Sequence, residues 1–247
     1  MTFDPITVFA ILTAFALGGT LKGATGAGAP IITIPVIAAF YDVRIAVIVM
    51  VIPNLLTNIS QIYQFRKTIL PLSFTFSFAL GGGIGAFIGT ILLINLPIKI
   101  LTLSVAFIVI IYMILKIAVP SWKLTYKKAT KLVFIMGTGG GVLQGSAGLS
   151  APISITFLNS MKLERKQFIP TISVYFGIMS IFQFPTLYYY NFFNLEITLL
   201  SVFSTVILIC FMPLGSWFAK NMSKEVFDKI ILILLSFIAL RIIYLNF

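Results

Sequence analysis

The chain has 247 residues, 60% of them hydrophobic and only 9% charged, against about 25% charged in soluble domains. That balance excludes an ordinary water-soluble fold and points to an all-α polytopic membrane protein, since Ile69–Leu96, Ile100–Val119, Leu195–Ala219 and Ile230–Leu245 are long enough to cross a hydrocarbon core, which takes roughly 20 helical residues. The net charge of +11 falls in the short gaps between apolar runs, as membrane topology requires, so no nucleic-acid partner is expected; with no histidine and a single Cys210, neither a transition-metal site nor a disulfide nor any other cofactor is expected.

In chain order, Met1–Pro5 carries Asp4 and no basic residue, so a cleaved signal peptide is disfavoured and the N-terminal segment is expected to stay. Apolar segments follow at 6–22, 29–40, 43–64, 69–94 and 98–118, and then at 132–144, 150–160, 166–189, 195–219 and 227–246. The expected organisation is one integral membrane domain: residues 1–119 as a first transmembrane repeat, 120–131 as a basic cytoplasmic connection, and 132–247 as a second repeat.

Two glycine phrases define the repeat. Gly23-Ala-Thr25-Gly26-Ala-Gly28-Ala29-Pro30 and Gly145-Ser146-Ala-Gly148-Leu-Ser150-Ala-Pro152 align at an offset of 122, which also places Lys22 over Gln144, Asn58 over Ser180 and Gln61 over Gln183. After an insertion of about four residues Gly89 falls over Gly215, and Leu96–Lys99 over Met222–Glu225. Five segments per half is an odd number, so the second copy is expected to be inverted.

Loop charges point the same way, because short loops rich in Lys and Arg stay cytoplasmic. Lys116 to Lys131, Lys162 to Lys166, and Lys220 to Lys229 are read as inside, as are Arg66 and Lys67, while Asn191–Glu196 has no basic residue and is read as outside. Parallel repeats would put Arg66-Lys67 on the side of Asn191–Glu196; inverted repeats do not. Both termini are then expected outside the cell's inner (cytoplasmic) membrane, with Arg241 as an exception.

Segments 132–144 and 150–160 are short for full crossings, so each half is expected to contribute a glycine-broken hairpin, the two tips meeting near the midplane. Short or tilted full crossings are the alternative. Backbone freed at such a break, with Pro30 and Pro152 in the first turn of the helix that follows, would offer N–H groups of Ala29–Thr33 and Ala151–Ser154 to an anion. Lys22 beside the first phrase would supply a cation. The rival reading lets Lys22 snorkel to an interface and lets the glycines serve helix packing, the reading preferred for the Gly81–Gly89 run. Asn54, Asn58 and Gln61, at i, i+4, i+7, form a polar stripe matched by Ser173, Ser180 and Gln183.

These features resemble the sulfite exporter TauE/SafE family: the Gly23–Pro30 phrase, Pro53-Asn-Leu-Leu-Thr-Asn58, the Arg66-Lys67 turn, the glycine-rich segment 81–89 and the reprise at Gly145–Pro152. The resemblance covers nearly the whole chain and implies export or import of sulfite or organosulfonates. The chain departs from the family's glycine richness at Leu149 and Ser150. The expected function is a secondary transporter of a small anion working by alternating access, with an anion channel filtered by the same tips as the alternative. An intramembrane enzyme is not expected, since all six acidic residues fall at segment ends or loops. The expected partners are the anion and the lipid bilayer; a homo-oligomer stays open.

Overall fold

The computed structural model describes residues 4–118, 122–221 and 233, and is helical with no strand among them. The helices are α1 (Pro5–Thr25), α2 (Ala29–Phe40), α3 (Val43–Phe65, continued by a 3-10 turn, Arg66–Thr68), α4 (Leu72–Asn95), α5 (Ile98–Ala118), α6 (Tyr126–Ala147), α7 (Ser154–Ser160), α8 (Arg165–Tyr189) and α9 (Leu195–Asn221). Six of them, α1, α3, α4, α5, α8 and α9, are long and apolar enough to cross a membrane. The expected tenth segment, 227–246, with Arg241, lies outside the described residues.

Each described acid stands where a helix begins. Asp4 and Asp42 accept the backbone N–H groups of Thr7 and Ile45 at 3.0 and 2.9 Å, Glu164 is the N-cap of α8, and Glu196 lies in the first turn of α9. Negative charge at these positions complements the helix dipole. It also leaves the interior of the described spans without a carboxylate.

The segment ends match the hydropathy reading within a few residues except around the second glycine phrase. There α6 starts at Tyr126, not at 132, and its 22 residues extend about 33 Å. Lys127, Lys128 and Lys131 belong to its first turns, because lysine is a good helix former whatever its hydropathy. Conversely α7 keeps only 7 residues, Ala151–Ile153 being turn. The short-arm argument for 132–144 therefore fails, and each half instead pairs a long helix with a short one.

Two seams made of small residues bind one half to the other. A Cβ on Gly81, Gly85 or Gly89 of α4 would overlap the backbone of α6 around Phe134, Thr138 and Val142, and one on Gly137, Gly141 or Gly145 of α6 would overlap α4 around Phe78, Gly82 and Ala86. Likewise Gly19 and Gly23 of α1 abut Leu208 and Met212 of α9, while Gly215 abuts Thr20 and Ala24. Residue numbers rise together across each seam, so α4 runs parallel to α6 and α1 parallel to α9. With no hydrophobic force between helices in lipid, this close backbone approach is what holds such pairs.

The seams correspond residue by residue. Gly89 meets Val142 O and Ser146 N; Gly215 meets Thr20 O and Ala24 N, and Thr20 and Ala24 are 122 positions before Val142 and Ser146. Between the seams α3 packs on α8 in the opposite direction: Thr68 at the end of α3 donates its hydroxyl to Lys166 O at the start of α8, and Ser173 Oγ donates to Gln61 Oε1 at 3.1 Å. The aromatic core sits on the α4 side of α8, where Tyr175 stacks on Phe78 at 4.0 Å and donates to Gly137 O at 2.9 Å.

Candidate functional site

Lys22 is 1% exposed. It lies on α1 within a turn of Gly19 and beside Gly23, the glycines that abut Leu208 and Met212, and its amine turns instead toward α3 and α8. Lys22 Nζ donates to Asn58 Oδ1 at 2.8 Å and stands 5.9 Å from the centre of the Phe176 ring. Asn58 is held in turn: its Nδ2 donates to Asn54 O at 2.6 Å. Gln61 Nε2 reaches Lys22 O at 3.4 Å while its Oε1 accepts from Ser173. The stripe Asn54, Asn58 and Gln61 is wholly buried; Asn58 falls in the middle third of the Val43–Thr68 span, and Lys22 in the last turn of the Pro5–Thr25 span. A buried lysine amine there, with a neutral amide and a ring for company and no carboxylate bonded to it among the described residues, can hold its charge at low cost only with an anion beside it.

Beyond Lys22 the Ile31 N–H, expected to be free, is taken by Gly28 O at 3.0 Å, as the Ile153 N–H is by Ser150 O in the second phrase, and among the described residues the N–H groups of Gly28 and Ala29 remain for a ligand. Gly26 (φ 83) ends α1 and Gly28 (φ 100) begins α2, both in the left-handed region that glycine adopts without strain. Thr25 is spent on the turn itself: its hydroxyl donates to Leu21 O at 2.9 Å and to Ala27 O, and takes the Ala27 N–H. No side chain caps α2, although Ala29 and Pro30 in its first turn are buried. That N-terminus lies against α1 at Gly18 and Leu21, within a turn of Lys22. The carbonyls at the end of α1 are satisfied from elsewhere: Arg165 donates to Gly23 O at 2.8 Å and Ala24 O at 3.1 Å, and Ser216 donates to Gly23 O at 3.0 Å. Arg44 does the same for α4, donating to Leu93, Ile94 and Leu96 carbonyls.

The second phrase closes on itself. Gln144 Oε1 accepts the Ser150 N–H at 3.3 Å, and Ser150 O takes the N–H groups of Ile153 and Ser154 at 3.0 and 2.9 Å. Ser150 and Ser154 hydroxyls lie 2.8 Å apart, Ser146 donates to Val142 O, Gly145 is consumed by the α4 seam and Pro152 is buried in the turn. Donors expected to be free at Ile153 and Ser154 are therefore engaged. Gln183, buried on α8, has an Nε2 with no hydrogen-bond partner among the described residues.

A model of the family described as Sulfite exporter TauE/SafE matches residues 10–242. The chain belongs to this family. No curated protein and no solved structure matches it. With its spanning helices, membership makes this TauE/SafE chain a multi-pass membrane protein of a transporter family, with a small anion as the implied substrate.

In this TauE/SafE fold the two glycine phrases keep different company. Gly26 abuts Ile169 in the second turn of α8, and Gly148 abuts Ile34 of α2 and Val47 in the second turn of α3. Since α3 and α8 are antiparallel, those are opposite ends of the pair. Length contributes: α1 and α6, at 21 and 22 residues, are both long before the chain turns. Lys22 lies one turn before Gly26, beside the start of α2.

The structure thus joins Lys22, Asn54, Asn58 and Gln61 into one cluster beside Gly28, Ala29 and Pro30, and leaves Gln144, Ser146, Gly148 and Ser150 in a separate, internally bonded turn. Sequence reasoning missed Phe176 and Arg165. Phe176 carries only one signal, its alignment with Asn54 across the repeat; Arg165 was visible only as loop charge. At the end of α3 near Arg165, Tyr63, Gln64, Phe65, Arg66, Lys67, Thr68 and Lys166 line an open depression of about 340 Å³. Arg66 covers the Tyr63 ring at 4.4 Å and Lys166 pairs with Glu164 at 2.9 Å, leaving Lys67 as a further cation at the rim.

Proposed function

We propose that this protein is a secondary carrier that moves a small oxyanion of sulfur, sulfite or an organosulfonate, by alternating access around Lys22. The observation that carries the reading is the buried Lys22 amine, with no carboxylate bonded to it among the described residues, beside the uncapped N-terminus of α2 in a TauE/SafE chain. An oxyanion would take the Lys22 charge and N–H groups of Gly28 and Ala29, while Asn58 and Gln61 orient the amine. The first glycine phrase grips; the second, with its donors spent internally, serves as a structural counterpart.

Alternating access rests on inverted repeats, and two observations support them. The helices that align across the repeat, α3 and α8, run antiparallel, and both seams recur in the same register. Loop charges then place the Arg66 depression inside and the start of α3 outside a cytoplasmic membrane, with the N-terminus outside. Lys22 is closed to solvent on both sides, as a carrier between its two open states would be.

The test is thermal unfolding in detergent with sulfite, methanesulfonate, thiosulfate and acetate, followed by uptake into proteoliposomes. A sulfur oxyanion is expected to raise the melting temperature of the wild type, and Lys22→Gln is expected to lose both that shift and uptake. Unchanged uptake by a folded Lys22→Gln protein would remove Lys22 from the site. Unitary current steps in a bilayer would replace the carrier by a channel.

A further inference from the structure

Among the described residues the Lys22 site lacks a counter-charge, and this decides more than which ligand it holds. The groups among them that face the amine are neutral or cationic, and the carboxylates of the elements packed around it, Asp42, Glu164 and Glu196, stand at helix starts. α3 presents Asn58 and Gln61, with Arg44 and Arg66 at its ends; α8 presents Ser173 and Phe176, with Tyr175 turned to Gly137 and Arg165 bonded to Gly23 and Ala24, the residues next to Lys22. α2 has no ionisable residue before its cap, Tyr41. α9 brings Met212 and Ser216 to Gly23, keeps Glu196 and Lys220 in its end turns and exposes Cys210. Arg165, bonded to the backbone next to Lys22, repels an ammonium.

We propose that Lys22 is the proton carrier of transport: an anion bound at the closed site and a proton on the Lys22 amine arrive together, cross together and leave together. This rests on the anion-site reading above. The balance is simple. A proton from bulk water bonds to the lone pair of Nζ, the anion contributes its negative charge and forms no covalent bond, and on the far side the N–H bond breaks heterolytically to water as the anion departs. For a singly charged anion, a sulfonate or hydrogen sulfite, the translocated unit is neutral, which is what lets it pass a low-dielectric interior where either charge alone costs several kcal/mol. No membrane-embedded acid is required, in keeping with the placement of every described carboxylate at a helix start.

The test adds methanesulfonate, ionised throughout the neutral range, to purified protein in weakly buffered detergent with a pH indicator. Where methanesulfonate does not bind, sulfite is used with its own titration subtracted. One proton taken up per anion bound is expected, with anion affinity falling about tenfold per pH unit on the alkaline side, as linkage of one proton requires. In proteoliposomes, wild-type flux is expected to ignore an imposed potassium diffusion potential. Lys22→Arg keeps a permanent charge, so any anion it binds is expected to come without a proton and any flux to follow the potential. Anion binding by the wild type with no proton uptake and a pH-independent affinity overturns the proton role while leaving the anion site intact. Binding of no anion at all overturns the site and the proton role with it.

Discussion

Gly89→Ala and Gly215→Ala should injure the protein equally. Each adds one methyl where the helix partner's backbone already stands, Val142 O and Ser146 N for the first, Thr20 O and Ala24 N for the second. Neither obstacle is a side chain that can rotate away, so the seam must open by roughly 1 Å, and overpacking of that kind costs about 1–3 kcal/mol. For a chain of this size each kcal/mol is worth about 2–4 °C in melting temperature, so a fall of about 2–12 °C is expected for either variant. The seams are distant, so the double variant should lose the sum of the two within about 0.5 kcal/mol. Gly177→Ala is the control: the nearest atom to its Cβ is Ile62 Cδ1 at 3.9 Å, and an alanine in a helix interior should stabilise by about 0.5–1 kcal/mol. Intrinsic fluorescence during a thermal ramp in detergent reads all four. A clear loss for Gly89→Ala with none for Gly215→Ala would refute the equivalence of the two seams.

Asn58→Asp gives Lys22 a counter-charge from the protein itself, so it should raise the melting temperature while weakening anion binding at least tenfold, measured by anion-dependent thermal shift. Arg165→Gln should remove a charged donor from two carbonyls and cost about 1.5–3 kcal/mol, with hydrogen exchange accelerated at residues 20–28; Arg44→Gln should do the same around residues 93–97. Arg66→Gln with Lys67→Gln should slow initial uptake from the Arg66 side at low ionic strength and have no effect at high salt, as steering by rim charges requires; a salt-independent loss would argue for direct contact with substrate.

Much of this fold is legible in the sequence because hydropathy contrast at segment ends is sharp: Phe40 to Val43 and Leu96 to Ile98 break apolar runs with polar or proline residues, and the helices end there. Lys22 stands out for the same reason, an ionisable side chain in an apolar run, and Asn54, Asn58 and Gln61 share one helical face. The depth of the glycine turns was not legible. It depends on where α6 starts, and the lysines that look like a loop by hydropathy are helical by propensity. Arg165 and Phe176 were missed because what they touch, the Gly23 carbonyl and the Lys22 amine, lies over a hundred residues away in sequence, and no local pattern records a contact at that range.

The α1 seam sets the order of biogenesis. Gly19 meets Leu208 and Gly23 meets Met212, so the ribosome must add nearly two hundred residues after α1 before its partner exists, about 10–40 s at 5–20 residues per second. The α4 and α6 seam closes far sooner. During that interval α1 waits beside the translocon with Lys22 held by little more than Asn58, which makes the nascent first helix the stage at which this protein most needs an insertase and is most open to quality-control proteolysis.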